Sequence, residues 1–180
     1  TNDLQTLTAS QASTINVTGS GSLEAAIGGT AGLETFDASE NSGGVEVAYT
    51  NATDLAFTGG SGDDTLTTDF ANLDSDDSID GGDGEDVLLT DGAVNFTTTS
   101  GGVISDEKYA AANALSNFEV LAFGGAADFD ASKITSVDTF SMQNGSAFGT
   151  NDGVTNIEND DNFQIGAVTA SASTFGMKTG

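Results

Sequence analysis

Short apolar runs alternate with clusters of Gly, Asn, Asp and Ser along nearly the whole chain. Ile15–Val17, Leu33–Phe36, Val45–Tyr49, Leu55–Phe57, Val87–Leu89, Phe118–Phe123, Val137–Phe140 and Phe163–Val168 are rich in β-branched and aromatic residues. Runs this short at near-regular spacing predict an all-β chain. One stretch breaks the rhythm. Ser105 followed by an Ala-rich segment predicts a single short helix over residues 106–115. No Pro-rich or Ser-rich linker interrupts the pattern, so residues 1–180 read as one domain. Because the chain starts without Met, it is expected to be a fragment or mature form of a larger repetitive protein.

Repetition decides the architecture. One unit recurs as a small or polar residue, an apolar residue, an acid, any residue, then an apolar one. It reads Gly32-Leu-Glu-Thr-Phe36, Asn117-Phe-Glu-Val-Leu121 and Ser136-Val-Asp-Thr-Phe140, with a degenerate fourth copy at Asn156-Ile-Glu. The anchors Phe118, Val137 and Ile157 lie 19 and 20 residues apart, about one coil of a β-solenoid. The expected fold is therefore an all-β parallel β-solenoid, or β-roll, with at most one short helix. Stacked coils put like residues on top of one another, so Phe36, Phe57, Phe118, Phe123 and Phe140 are expected in core ladders rather than on a sugar-binding face. The competing architecture is a β-sandwich built from the same short strands.

A second repeat carries chemistry. Residues 59–67 read Gly-Gly-Ser-Gly-Asp-Asp-Thr-Leu-Thr and residues 81–89 read Gly-Gly-Asp-Gly-Glu-Asp-Val-Leu-Leu. Both fit the nonapeptide G-G-x-G-x-D-x-U-x, where U is large and apolar. Between them, residues 72–80 keep Asp77 and Ile79 but lose the glycines, and residues 68–71 form a four-residue insertion. Glycine permits tight turns that aim carbonyls inward, the Asp places a carboxylate beside them, and x-U-x makes a minimal strand. Nine residues make half a coil, so the corners at 59–64 and 81–86 should be neighbours with room for a cation between them.

Charge and composition narrow the ion. Twenty-eight acids face three Lys (Lys108, Lys133 and Lys178) and no Arg, for a formal charge of −25. A chain so anionic repels nucleic acid and anionic lipid, and resists compaction unless cations neutralise it. Cys and His are absent, which leaves oxygen ligands alone. Carbonyls and carboxylates favour Ca²⁺ over Zn²⁺ or Cu²⁺. The same absences remove Ser-His-Asp, Cys-His and His-metal catalysis, so the chain is not expected to be an enzyme. No apolar run approaches a membrane span. The Asp74–Asp77 and Asn159–Asn162 loops are either further cation sites or solvated turns.

The stretch from 59 to 89 resembles the RTX calcium-binding β-roll of proteins exported by type I secretion. Leu33-Glu-Thr-Phe-Asp-Ala-Ser39, followed by a β-rich spacer and Gly59-Gly-Ser-Gly-Asp-Asp-Thr-Leu, also resembles the C-terminal regions of RTX-type bacterial surface-layer proteins. The specific motif covers about a sixth of the chain. The resemblance implies Ca²⁺ held by the carboxylates of Asp64 and Asp86 and by the carbonyls of Gly59, Ser61, Gly82 and Gly84, with Asp77 serving the opposite edge. The missing glycines of 72–80 depart from the family pattern at that edge. It further implies a secreted, cell-surface structural protein that folds and assembles with copies of itself in Ca²⁺ as a surface layer, matrix or filament. The alternatives are a spacer or ligand-binding module of a large type I-secreted adhesin, and the carrier portion of a toxin or hydrolase.

Overall fold

Strands of two to seven residues cannot bury an apolar face alone; they must stack. In the computed structural model the chain does this as a β-solenoid of about six turns. The structure describes residues 2–7, 12–27, 32–96, 106–143, 147–148, 154–157, 161–165 and 175–177. All strand pairings among them are parallel, which excludes the sandwich.

One eight-stranded sheet runs the length of the molecule. Its strands, in spatial and chain order, are Asn2–Leu7, Leu23–Ile27, Val45–Tyr49, Thr65–Thr68, Val87–Thr90, Val120–Phe123, Thr139–Met142 and Asn162–Ile165. Facing it over the first half is a four-stranded sheet of Thr14–Gly19, Thr35–Asn41, Ala56–Thr58 and Ser78–Asp80. Over the second half a third sheet takes over: Val94–Asn95, Ala126–Asp130, Val154–Ile157 and Phe175–Met177, with Ala147–Phe148 also paired to Ala126–Asp130.

Register turns the sequence repeats into ladders. Ala25, Val47, Leu66, Leu88, Leu121, Phe140 and Phe163 are successive partners down the long sheet. All but Phe163 are buried. Each fully buried Leu or Phe contributes roughly 1.5–3 kcal/mol of transfer free energy. Opposite them, Ile15, Phe36, Phe57 and Ile79 are partners, and the Phe36 and Phe57 rings stack at 5.5 Å. The five Phe residues expected in the core are there: Phe36, Phe57, Phe118, Phe123 and Phe140 are at most 3% exposed.

The switch between facing sheets is made by the helix. Asp86 and Glu119 occupy neighbouring rungs 33 residues apart, against 22 for Asp64 and Asp86, and the longer coil holds helix α1 (Asp106–Asn113). The helix is where the sequence predicts it, although it stops two residues early; the Leu115 amide still reaches the Ala112 carbonyl. Ser105, its expected cap, lies outside the described residues. Lys108 Nζ donates to the carbonyls of Phe70, Ala71 and Leu73 (2.8–3.1 Å). These belong to or adjoin a 3-10 turn at Phe70–Asn72 that absorbs the insertion. Tyr109 packs edge-on against Phe96 and accepts the Asp130 amide, so the helix is held by the rungs on both sides.

Two expectations need correction. Ile157 does not continue the column of Phe118 and Val137. It lies on the third sheet as the partner of Met177, so its spacing of 20 matches a coil length without sharing a corner. The run Phe163–Val168 is a strand only as Asn162–Ile165 among the described residues; residues 166–168 lie outside them.

Candidate functional site

The glycine-rich corners lead directly into the strands of the long sheet, so the sheet's register stacks them. Thr65 pairs with Val87, and Asp64 and Asp86, the residues just before, stand on adjacent rungs. Their carboxylates point inward: Asp64 is 1% exposed and Asp86 0%. Such burial is tolerable only if the oxygens find partners.

Asp64 finds two. Its Oδ1 accepts the amide of Val45 on the preceding rung (2.6 Å), and its Oδ2 accepts the amide of Gly60 in its own corner (2.6 Å). Asp86 repeats half of this. Its Oδ1 accepts the Asp64 amide (2.7 Å), but Gly82, the counterpart of Gly60, sits at φ +97° and donates to Asp80 Oδ1 instead (3.1 Å). Asp86 Oδ2 is left buried without a hydrogen-bond partner; among the described residues only the neutral Thr90 hydroxyl shares that condition. Burial, with Asp64, Glu119 and Asp63 nearby, pushes the Asp86 carboxyl up to about 6. Burial also raises Asp64, opposed by its bonds from Gly60 and Val45.

The corner is tight because its first glycines have no side chain. A Cβ on Gly59 would overlap the Gly81 carbonyl oxygen and come within 2.5 Å of Asp64 Oδ2. One on Gly81 would overlap the Asn117 carbonyl oxygen and come within 2.7 Å of Asp86 Oδ2. Main-chain and carboxylate oxygens therefore crowd the space that any other residue would fill. Among the described residues no three acidic side chains converge on one point, so an ion here would draw mainly on carbonyl oxygens.

Of the residues singled out from sequence, Gly59, Ser61, Asp64, Gly82, Gly84 and Asp86 all lie on this edge. Gly82 packs against the Gly60 carbonyl and Gly84 against that of Gly62, while Ser61 and Gly84 face solvent. Asp77 is on the opposite edge, as expected, but its carboxylate is already used. Oδ1 accepts the Leu55 amide (2.8 Å) and Oδ2 the Asp74 amide (2.9 Å). With Asp74 Oδ1 accepting the Asp76 amide, the Asp74–Asp77 loop is a turn closed by its own side chains. Residues 159 and 160 of the other acidic loop lie outside the described residues.

Sequence reasoning missed the extent of the column. Corners precede the nonapeptides: Ser42 donates to the Gly19 carbonyl and Ser61 to that of Asn41, so residues 19–22 and 41–44 are earlier rungs of the same edge. The column also continues beyond them. Glu119 Oε2 accepts the Asp86 amide (2.7 Å), and the register places Asp138 next. The signal was legible as acid-x-apolar: Asp64-x-Leu66, Asp86-x-Leu88, Glu119-x-Leu121 and Asp138-x-Phe140 on this edge, Glu34-x-Phe36 and Asp77-x-Ile79 on the other. The nonapeptides and the five-residue copies at 117–121 and 136–140 thus share one coil position, seen with and without its glycines, while the copy at 32–36 stands on the other edge.

Fold and edge together define a parallel β-solenoid with a column of stacked acids along one edge, of which Asp64 and Asp86 face inward. Compared with protein families, curated proteins and solved structures, the chain matches none.

Proposed function

We propose that this protein is an extracellular structural solenoid whose glycine-aspartate edge binds Ca²⁺, and that ion binding drives its folding and self-assembly into a surface layer, matrix or filament. The observation that carries the reading is the bare, fully buried Oδ2 of Asp86 in a column of stacked acids. An ionised carboxylate in that position calls for a cation. The oxygens at hand are of the hard kind that Ca²⁺ accepts in irregular geometry. Asp64 and Asp86 are the carboxylates of this edge, and Gly59, Ser61, Gly82 and Gly84 supply carbonyls along it. Asp77 is left out, because it lies on the opposite edge, in a turn closed by its own side chains. A formal charge of −25 favours an expanded chain where Ca²⁺ is scarce. An ion that binds only the folded state adds its binding free energy to folding where Ca²⁺ is plentiful.

The test is circular dichroism of the chelated chain during a Ca²⁺ titration, with Mg²⁺ as control. A β signal that grows with Ca²⁺ and not with Mg²⁺ is the expected result, and one already complete in chelator overturns coupled folding. Negative-stain electron microscopy in Ca²⁺ then tests assembly. Lattices or filaments support it, whereas persistent monomers favour the adhesin spacer.

A further inference from the structure

We propose that the oxygen left bare on Asp86 belongs to a cation site on its C-terminal side, completed by a corner that has no repeat signature: Asn117 and Glu119. This rests on reading the glycine-aspartate edge as a cation edge, and it says where an ion sits.

The two oxygens of Asp86 are committed differently. Oδ1 turns back to the Asp64 amide on the preceding rung. Oδ2 lies at the face of Gly81, where a Cβ would stand 2.7 Å from it and overlap the carbonyl oxygen of Asn117 on the following rung. That carbonyl is held in place. Asn117 has φ +53°, in the left-handed region that non-glycine residues rarely adopt, and its Nδ2 donates to Asp80 Oδ1 (2.7 Å). Two residues on, Glu119 gives one oxygen to the Asp86 amide, and its side chain is otherwise exposed. Its charge stands one rung from Asp86 and helps to raise that group. A carboxylate oxygen, a fixed carbonyl and a second carboxylate thus gather between rungs 81–86 and 117–119. No protein cation is seen to answer them: among the described residues, Lys108 and Lys133 are both at the helix, one on the 3-10 turn carbonyls and one over the Tyr109 ring. The site takes a divalent, oxygen-seeking ion, and Ca²⁺ is the probe.

Calcium binding to the full chain is followed by titration calorimetry and native mass spectrometry, for wild type, Glu119→Gln and Glu46→Gln. Glu119→Gln keeps an acceptor for the Asp86 amide and removes only the charge. Glu46→Gln removes the same charge from an exposed strand position. The expected result is that Glu119→Gln binds one ion fewer, or one ion about tenfold more weakly, with Glu46→Gln at wild-type stoichiometry. Unchanged binding in Glu119→Gln overturns this site while leaving the wider calcium reading intact. Equal losses in both variants also overturn it, as a general charge effect. No binding by wild type removes both readings. If Glu119→Gln fails to fold, Glu119→Asp keeps the charge but retracts it, and the same one-ion weakening or its absence decides.

Discussion

On the edge that carries Asp77, both carboxylate oxygens are taken by backbone amides, those of Leu55 and Asp74; on the edge that carries Asp86, one is taken and the other is not. Each acid precedes an inward-facing apolar residue and reaches back to the amide one rung earlier. What separates them is the local turn. The Asp74–Asp77 loop supplies its own amide to close the ring, whereas Gly82 turns its amide away toward Asp80. A stacked acid is therefore first a device for satisfying backbone, and it keeps a wholly bare oxygen only where the turn withholds the second donor.

The comparison can be broken most severely at the glycines. Gly81→Ala would drive a Cβ into the Asn117 carbonyl, and a main-chain oxygen set between the backbone hydrogen bonds of Ser116 and Glu119 cannot yield cheaply. Destabilisation of about 3 kcal/mol or more is expected in urea unfolding. Gly32→Ala, near the opposite edge with nothing within 4 Å, should change stability by less than about 0.5 kcal/mol. Equal costs would show that the tight packing is not specific to the acidic edge.

Next in size is a pH effect in chelator. Asp86 is raised from 3.8 to about 6, so between those values the folded state keeps a proton that the unfolded state has lost. Its contribution is present below about pH 4 and is lost as pH rises through 6, for a fall of up to about 3 kcal/mol. Urea midpoints from pH 4 to 7.5 should show that fall, and Asp86→Asn should flatten it.

The smallest effects separate the two acids by sign. Asp86→Asn at pH 7.5 in chelator should stabilise by about 1–2 kcal/mol, because a neutral amide replaces a buried charge and can face the Asn117 carbonyl. Asp77→Asn should cost about 1–2 kcal/mol, since its NH₂ group would confront an amide that needs an acceptor. Chemical denaturation of both variants checks this; the same sign for both would dissolve the distinction between the edges.

Much of this was readable in the sequence, for identifiable reasons. The strand at Val45–Tyr49 matches its run to the residue because Gly44 and Thr50 bracket a clean alternation. The nonapeptide corners were found because glycine is required there by close backbone approach, and necessity of that kind leaves a spacing. Glu119 was missed as a partner of Asp86 because 33 residues and a helix lie between them, hiding a one-rung neighbour behind an irregular coil. Ala126–Asp130 was missed because Ala-Ala-Asp-Phe-Asp carries no β-branched signature. The free oxygen on Asp86 was beyond reach, since it depends on one amide's direction, which Gly60 and Gly82 share by sequence and not by conformation.

The backward reach of these side chains gives the molecule a polarity. Asp64 serves Val45, Asp86 serves Asp64, and Glu119 serves Asp86, so each of these layers is finished only by its successor. Trimming from the C-terminal side strips the acceptor from a buried N–H, which water reaches poorly. Trimming from the N-terminal side instead uncovers a carboxylate that water hydrates readily. The two faces of each such rung are chemically unlike, and the one that meets its successor is the needy one.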